Sequence, residues 1–306
     1  MVTKPIEAKW RSLAVDLNTF IVAVFCLIDD RIKDRRIRRR GPAPKLSDSE
    51  VLTMEIVGEF LGIDTDKAIF LFFRRHYAEW FPALCAVHRT TFARQAANLW
   101  AIKQMLWKHL LGRVRFDAEV SLIDSFPVPT CHFARAYRCR RLAEESAFGY
   151  DEMSKQTFYG LRAHLRVCWP GIVVEMDLAP ANVHDLRLAE ELLEGVQEGW
   201  VLGDRNYWSP ELAERLADEG LRMLAPYKSK KREEKPWPRW LVQKRRRIET
   251  VISQMTERYR AKRVWARDRW HLTSRWLRKV LSHTMAVYFC QKVGLSLLRF
   301  AELLTD

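Results

Sequence analysis

The spacing of apolar residues changes character near Val114, and the change divides what this chain can fold into: helices before it, strands alternating with helices after it. Trp10, Leu13, Leu17, Phe20, Ile21, Val24, Phe25 and Ile28 recur at helical spacing and predict one amphipathic helix over residues 8–30. Ser47 and Glu50 form an S-x-x-E capping box ahead of VLTMEIVGEFLG. Each side chain there satisfies a backbone N–H that a first helical turn leaves unbonded, so a second helix starts at that point. Helical periods continue near 65–79 and 90–111. His88, Arg89, Thr90, Thr91 and Arg94 open the last of these, either as the recognition face of a helix-turn-helix or as the start of a plain bundle helix. Between the first two helices, RIKDRRIRRRGPAPK reads as an exposed basic linker over 31–46, with Arg38, Arg39 and Arg40 as candidates for phosphate contact.

Beyond Val114, RFDAEVSLI (115–123), TFYGLRAHLRVCW (157–169) and GIVVEMDL (171–178) predict three strands, with Pro170 and Gly171 turning between the last two. A helix over Leu186–Val196, a strand over Trp200–Gly203, a helix over Ser209–Glu219 and a strand over Leu221–Ala225 follow, and long helices begin near 240. A leading meander followed by crossover units is the order of a ribonuclease H-like α/β fold, a mixed sheet flanked by helices. The chain is therefore expected to hold an all-helical domain over 1–112, serving DNA binding or dimerisation, and a ribonuclease H-like catalytic domain over 113–306 that includes the C-terminal helices. Two basic loops interrupt that second domain, at 129–156 and 226–247. The first interleaves Arg135, Arg138, Arg140, Arg141 and Lys155 with Phe133, Tyr137, Phe148 and Tyr150, a mixture suited to phosphates and stacked bases. The second carries Lys230 and Lys231 in KSKKREE and Arg245 and Arg246 in KRRR.

Charge narrows the partner. Lys and Arg number 52 against 38 Asp and Glu, a formal excess of +14 that suits a polyanion. Its clusters are scattered rather than gathered on one amphipathic helix, which favours nucleic acid over an anionic membrane. The longest apolar runs, Phe20–Ile28 and Met285–Cys290, fall short of the ~18 residues of a membrane span. No secretion signal is evident at MVTKPIEAKW, so a cytoplasmic, nucleoid-associated protein without membrane contact is expected. Cys26, Cys85, Cys131, Cys139, Cys168 and Cys290 include no C-x-x-C pair, which argues for reduced thiols; Cys131, His132 and Cys139 lack a fourth partner for zinc.

Three acids stand out. Asp124 closes the first strand run and is followed by SFPVP, whose prolines are expected to stop the strand; Asp204 closes the short strand of VLGDRNYW; Glu249 lies in QKRRRIETVISQM at helical spacing from Ile248, Ile252 and Met255. Singly, an Asp after a strand is more often a turn former. Together they are the hard oxygen donors that an in-line phosphoryl displacement with divalent metal requires. Arg245 stands one turn before Glu249, placed to brace the carboxylate or reach a phosphate. Asn182-Val183-His184-Asp185 is expected near the same pocket, or as a helix cap, and His132 and Arg205 are further candidates for phosphate contact.

The segments LSDSEVLTMEIVGEFLG, IDSFPVPTCHFARA, LAPANVHDLR, VLGDRNY and RRRIETVISQ, in that order over most of the chain, resemble the transposases of bacterial insertion sequences, the insertion-sequence-982 family in particular. The resemblance implies a DDE triad of Asp124, Asp204 and Glu249 as catalytic residues and metal ligands, two Mg²⁺ ions with Mn²⁺ able to substitute, and no covalent enzyme–DNA intermediate. Related transposases carry a Tyr, Arg, Glu, Lys signature on the glutamate helix. Here Arg245 fits, but Val242 occupies the Tyr position and Thr256 the Lys position, so that signature's DNA-end contacts do not carry over. The expected activity is binding of the terminal inverted repeats of an element, metal-dependent strand cleavage and transfer into target double-stranded DNA, by a homodimer or larger assembly. A catalytically inactive DNA-binding protein and a ribonuclease H-like nuclease without strand transfer are the alternatives.

Overall fold

The computed structural model describes residues 15–38, 40–226 and 239–305, with the backbone alone at 241 and 242. The chain divides into two compact units. The first comprises the described residues up to Val114 together with Glu257–Arg260 and 269–305; the second comprises 115–256 and 261–268.

Among the described residues five α-helices lead the first unit: α1 (Leu17–Ile32), α2 (Asp48–Phe60), α3 (Asp66–His76), α4 (Arg89–Asn98) and α5 (Trp100–Leu111). The capping box is present on α2, where Ser47 Oγ accepts from the Glu50 N–H at 3.1 Å and the Ser47 N–H donates to Glu50 Oε2 at 2.6 Å. The first helix is shorter than its periodicity predicts. Asp16 caps it by accepting from the Thr19 N–H, and Val15 is drawn instead into a bridge with Leu304; Trp10 and Leu13 lie outside the described residues. Trp276 and Phe289 are buried on a last long helix in this unit, Arg269–Val293.

That last helix corrects the domain boundary drawn from sequence, which assigned the C-terminal helices to the sheet. The reason is a buried ionic network around α2. Glu55 and Glu59, one helical turn apart, meet Lys103 of α5 and Arg278 and Lys279 of the last helix. Lys103 Nζ lies 2.7 Å from Glu55 Oε2, Arg278 Nε 2.6 Å from Glu59 Oε1 and Lys279 Nζ 2.8 Å from Glu59 Oε2. Asp66 and the Asp64 carbonyl take the remaining Arg278 donors, and the carbonyls of Ala96 and Tyr259 complete Lys103 and Lys279. Burial works against the Asp66 carboxylate, yet Arg278 and Arg275 hold its pKa well below the usual range.

The second unit is built on a six-stranded mixed sheet: β1 (Asp117–Pro129), β2 (Ala147–Asp151), β3 (Gln156–Trp169), β4 (Ile172–Pro180), β5 (Gly199–Leu202) and β6 (Leu221–Leu224). β3 pairs antiparallel with β1, β2 and β4, whereas β5 runs parallel to β1 and β6 parallel to β5. Between them come α6 (Asp185–Leu193) and α7 (Pro210–Asp218), whose apolar faces (Leu192, Leu193, Leu212, Leu216) cover Ile123, Val201 and Leu221 of the sheet. A helix α8 (Arg239–Ser253) packs against β1 and β3, and the last helix, Arg269–Val293, becomes α9 in this numbering.

Two expectations change here. β1 does not stop at Asp124 but runs through SFPVP to Pro129. The Thr130 N–H donates to the Tyr159 carbonyl of β3, so by strand alternation the nitrogens of Pro127 and Pro129 face the opposite edge, which β5 has already left at Leu202. No ladder donor is lost. The 129–156 loop also contains order: a 3₁₀ turn over Phe133–Arg138 and the edge strand β2. Of the 226–247 loop, Tyr227–Pro238 lie outside the described residues, and Arg239 onward is helix.

Removing one member of the ionic network leaves buried charges without partners. Glu59→Ala, which takes from Lys279 its carboxylate partner and from Arg278 one of several, is expected to cost about 3–5 kcal/mol of stability in denaturant unfolding; a loss under 1 kcal/mol would mean that the network is hydrated.

Candidate active site

The register of β1 and β5 sets the geometry. Leu122 of β1 pairs with Leu202 of β5 in parallel, so each aspartate stands two residues further on, Asp124 still within β1 and Asp204 just past the end of β5. Both point to the same face of the sheet, because side chains repeat every second residue along a strand. Asp204 then turns the chain. Its Oδ1 accepts from the Asn206 N–H at 2.9 Å and its carbonyl from the Tyr207 N–H at 3.2 Å, capping a 3₁₀ turn over Arg205–Tyr207. Gly203 allows that turn to fold back, since a Cβ there would stand 2.8 Å from Tyr207 Cβ.

The electrostatics record the crowding. Burial, then the neighbouring Asp204, pushes the Asp124 carboxyl up to about 7. Asp204 is also raised, chiefly by burial, and Arg245 of α8 opposes the rise in both. A third carboxylate stands close by. Asp185 opens α6 under a cap from His184 Nδ1, and its Oδ1 lies 3.9 Å from both Arg162 Nε and His164 Nδ1 of β3. Its pKa is raised by burial and by Asp204 against the pull of Arg162. Burial raises the Tyr207 hydroxyl, and Asp185, Asp124 and Asp204 all raise it further. His164 is buried with both ring nitrogens unbonded, and burial followed by Arg162 brings its pKa down to about 4.

Sequence reasoning selected Asp124 and Asp204 and expected the Asn-Val-His-Asp segment nearby; it did not select Ser125, Arg162, His164 or Tyr207. The available signal was Arg162 and His164 at alternate positions of a strand whose other residues are largely apolar and buried. Glu249 is exposed on α8, one turn beyond Arg245 and so on the same helical face as the guanidinium that acts on both aspartates. Among the described residues no group of three or more His, Cys, Asp or Glu stands in metal-holding geometry. The donor set nevertheless fits a divalent cation. Two hard carboxylates side by side, each raised in pKa within reach of the other, are what such an ion would relieve.

The other basic residues selected from sequence have varied surroundings. Arg38 is held in an ion pair with Asp48, which also accepts from Gln95, so its guanidinium is taken up inside the helical unit. Arg40, His132, Arg135, Arg138, Arg140, Arg141, Lys155, Arg205 and Arg246 are exposed, and Arg245 is half-buried beside the aspartates. His88, Arg89, Thr90, Thr91 and Arg94 are exposed at the start of α4, which His88 caps. Arg39, Lys230 and Lys231 lie outside the described residues. Lys244 and Arg247, not selected, cover the Trp169 ring at 5.0 and 5.3 Å.

Residues 116–267, just under half of the chain, match the family model described as the transposase DDE domain. Asp124, Asp204 and Glu249 all fall within that span. No curated protein matches the chain. Among solved structures, the chain is similar to a piggyBac transposase in a synaptic complex with hairpin DNA, at 12% identity and a TM-score of 0.45, covering 96% of this chain and 78% of that one. No helix among the described residues is long and apolar enough to cross a membrane.

The raised Asp124 has a stability consequence whose sign is fixed. Its folded pKa, about 7, exceeds the ordinary 3.8, so ionising it in the folded protein is penalised. The penalty is absent below pH 3.8, grows as pH rises and is complete above about 7, on the order of 4 kcal/mol at 1.36 kcal/mol per unit. Asp124→Asn is therefore expected to raise the melting temperature of the metal-free protein at pH 8 and to leave it unchanged near pH 3.5. Equal effects at both pH values would remove the carboxyl from the crowded site.

Proposed function

We propose that this protein is a DNA transposase of the DDE type with a ribonuclease H-like catalytic unit, related to the insertion-sequence-982 family. The observation that carries the reading is the convergence of Asp124, within β1, and Asp204, just past the end of the parallel strand β5, inside the segment that matches a transposase DDE domain. With β2 set aside, the strand order β4-β3-β1-β5-β6 is a three-strand antiparallel meander extended by two parallel crossover strands, which supports the fold assignment.

In this reading Asp124, Asp204 and Glu249 hold divalent metal, Mg²⁺ with Mn²⁺ as substitute. When bound, the ions supply an activated oxygen nucleophile and charge stabilisation at the scissile phosphate. The chain's own groups do the rest. Arg245 offsets the charge of the two aspartates in the metal-free protein and remains beside them to meet a phosphate oxygen. The turn at Asn206 fixes the Asp204 carboxylate, so its orientation is set before substrate arrives. The exposed Arg135, Arg138, Arg140, Arg141 and Lys155 contribute phosphate contact that is blind to sequence. The substrate is the pair of terminal inverted repeats of an element together with target duplex, held by a homodimer or larger assembly in the cytoplasm.

The test uses a pre-cut element end, target DNA and Mg²⁺, with joined strands read on a sequencing gel. Wild type is expected to join. Asp204→Asn is expected to lose activity by more than the ~100-fold that outer-shell changes around a metal cost, while duplex binding in EDTA persists. Cleavage without joined product would replace the reading with that of a nuclease, and an active Asp204→Asn would overturn the metal site. Duplex affinity is expected to fall linearly in log–log form as salt rises from ~50 to ~200 mM; a flat response would exclude phosphate-dominated binding.

A further inference from the structure

The segment between β1 and β3 carries exposed rings that no core requires. Phe148, on the edge strand β2, packs with its ring tilted 55° and 5.0 Å from that of Tyr159, its register partner on β3. Tyr137 and Phe133, from the 3₁₀ turn, stand 5.2 and 6.2 Å from Phe148. Tyr137 is 88% exposed, so one edge of its ring is supported from behind while most of its surface is open. Buried rings of this protein such as Phe20 and Phe60 pair with each other in the core; this group ends in solvent.

The charge around these rings says what covers them. Residues 132–141 hold Arg135, Arg138, Arg140 and Arg141, all exposed, and no acidic residue; Glu144 and Glu145 follow only beyond. An apolar protein surface docking here would have to take the water off those guanidinium groups without replacing it. A nucleic acid strand meets both features at once, with phosphates for the arginines and a π-face for the ring. The base must be unpaired, because in a duplex both faces of a base are already covered by its neighbours.

The patch also lies along the continuation of β1 beyond Asp124. Tyr150 of β2 accepts through its carbonyl from Arg162 Nη2 at 2.9 Å, and Arg162 Nη1 is 3.4 Å from Ser125 Oγ, the residue after Asp124.

We propose that Tyr137, backed by Phe148 and flanked by Arg138, Arg140 and Arg141, is a stacking site for an unpaired nucleobase of a DNA strand. It rests on the reading of the protein as a DNA enzyme, but its test is independent of catalysis.

The full chain is titrated in EDTA with a fluorescent oligothymidylate and with a blunt duplex of equal length. Wild type is expected to bind both. Tyr137→Ala is expected to weaken oligothymidylate binding about tenfold, leave duplex binding unchanged, and be rescued by Tyr137→Trp. A single-stranded oligonucleotide containing 2-aminopurine is expected to be quenched by wild type and not by Tyr137→Ala. Circular dichroism melts of the variants are expected to overlay wild type, because the side chain is exposed. Equal loss on single strand and duplex, or affinity and quenching unchanged in Tyr137→Ala, would overturn the proposal. So would a change of sedimentation in Tyr137→Ala without DNA, which would make the patch an interface between copies. Stacking without strand joining would sink only the transposase reading, and joining without stacking only this site.

Discussion

Two carboxylates are held where they repel, one within β1 and one just past the end of its parallel neighbour β5, and the sheet unit is organised around that constraint. The pairing of Leu122 with Leu202 places Asp124 beside Asp204, and a slip of one residue would send one carboxylate to the other face. Register is therefore the quantity the fold must protect. Ile123 and Val201, buried on the opposite face under α6 and α7, protect it with apolar area. Repulsion and burial, which disfavour ionisation, are tolerated because the remainder of the unit contributes enough core to hold the strands together.

The helical unit uses charge in the opposite way. Glu55, Glu59 and Asp66 are buried against Lys103, Arg278 and Lys279 with donors and acceptors matched. Burying such pairs gains little net stability over apolar packing, but a wrong arrangement strands a charge, so the network fixes which helices meet. One unit satisfies its interior charges with its own side chains. The other leaves a carboxylate cluster incompletely compensated, which is the condition for recruiting a cation or a phosphate-bound metal from solution.

How much of this could be read from residues alone depended on whether the deciding partner was near in sequence. The capping box at Ser47 and Glu50 is local, and it is present. The runs that became β4, β5 and β6 are short, apolar and bounded by turn residues, so period and composition sufficed. β1 ran further than expected because Pro127 and Pro129 obstruct a strand only if their nitrogens face a partner, and that depends on where β5 ends. β2 exists by pairing with β3 rather than by its own pattern. The attachment of α9 to the helical unit turns on Arg278 and Lys279 meeting Glu55 and Glu59, more than two hundred residues earlier. Arg38 sits in a basic run suited to phosphate, but Asp48, ten residues on, pairs with it. At the site, each aspartate's place after a short apolar run made it legible, even though β1 continues past Asp124, whereas Arg162, His164 and Tyr207 join them only through folding.

The matched charges inside the helical unit have a consequence for how the protein meets salt water. Counter-ions that screen the outer arginines over a Debye length of about 8 Å at physiological ionic strength do not reach Arg278 or Lys279, which are sealed from solvent. Ionic strength thus acts on the two populations of cations separately. It screens the exposed arginines while leaving the helical scaffold intact, because Lys103, Arg278 and Lys279 are met there by Glu55, Glu59 and Asp66 rather than by ions from solution.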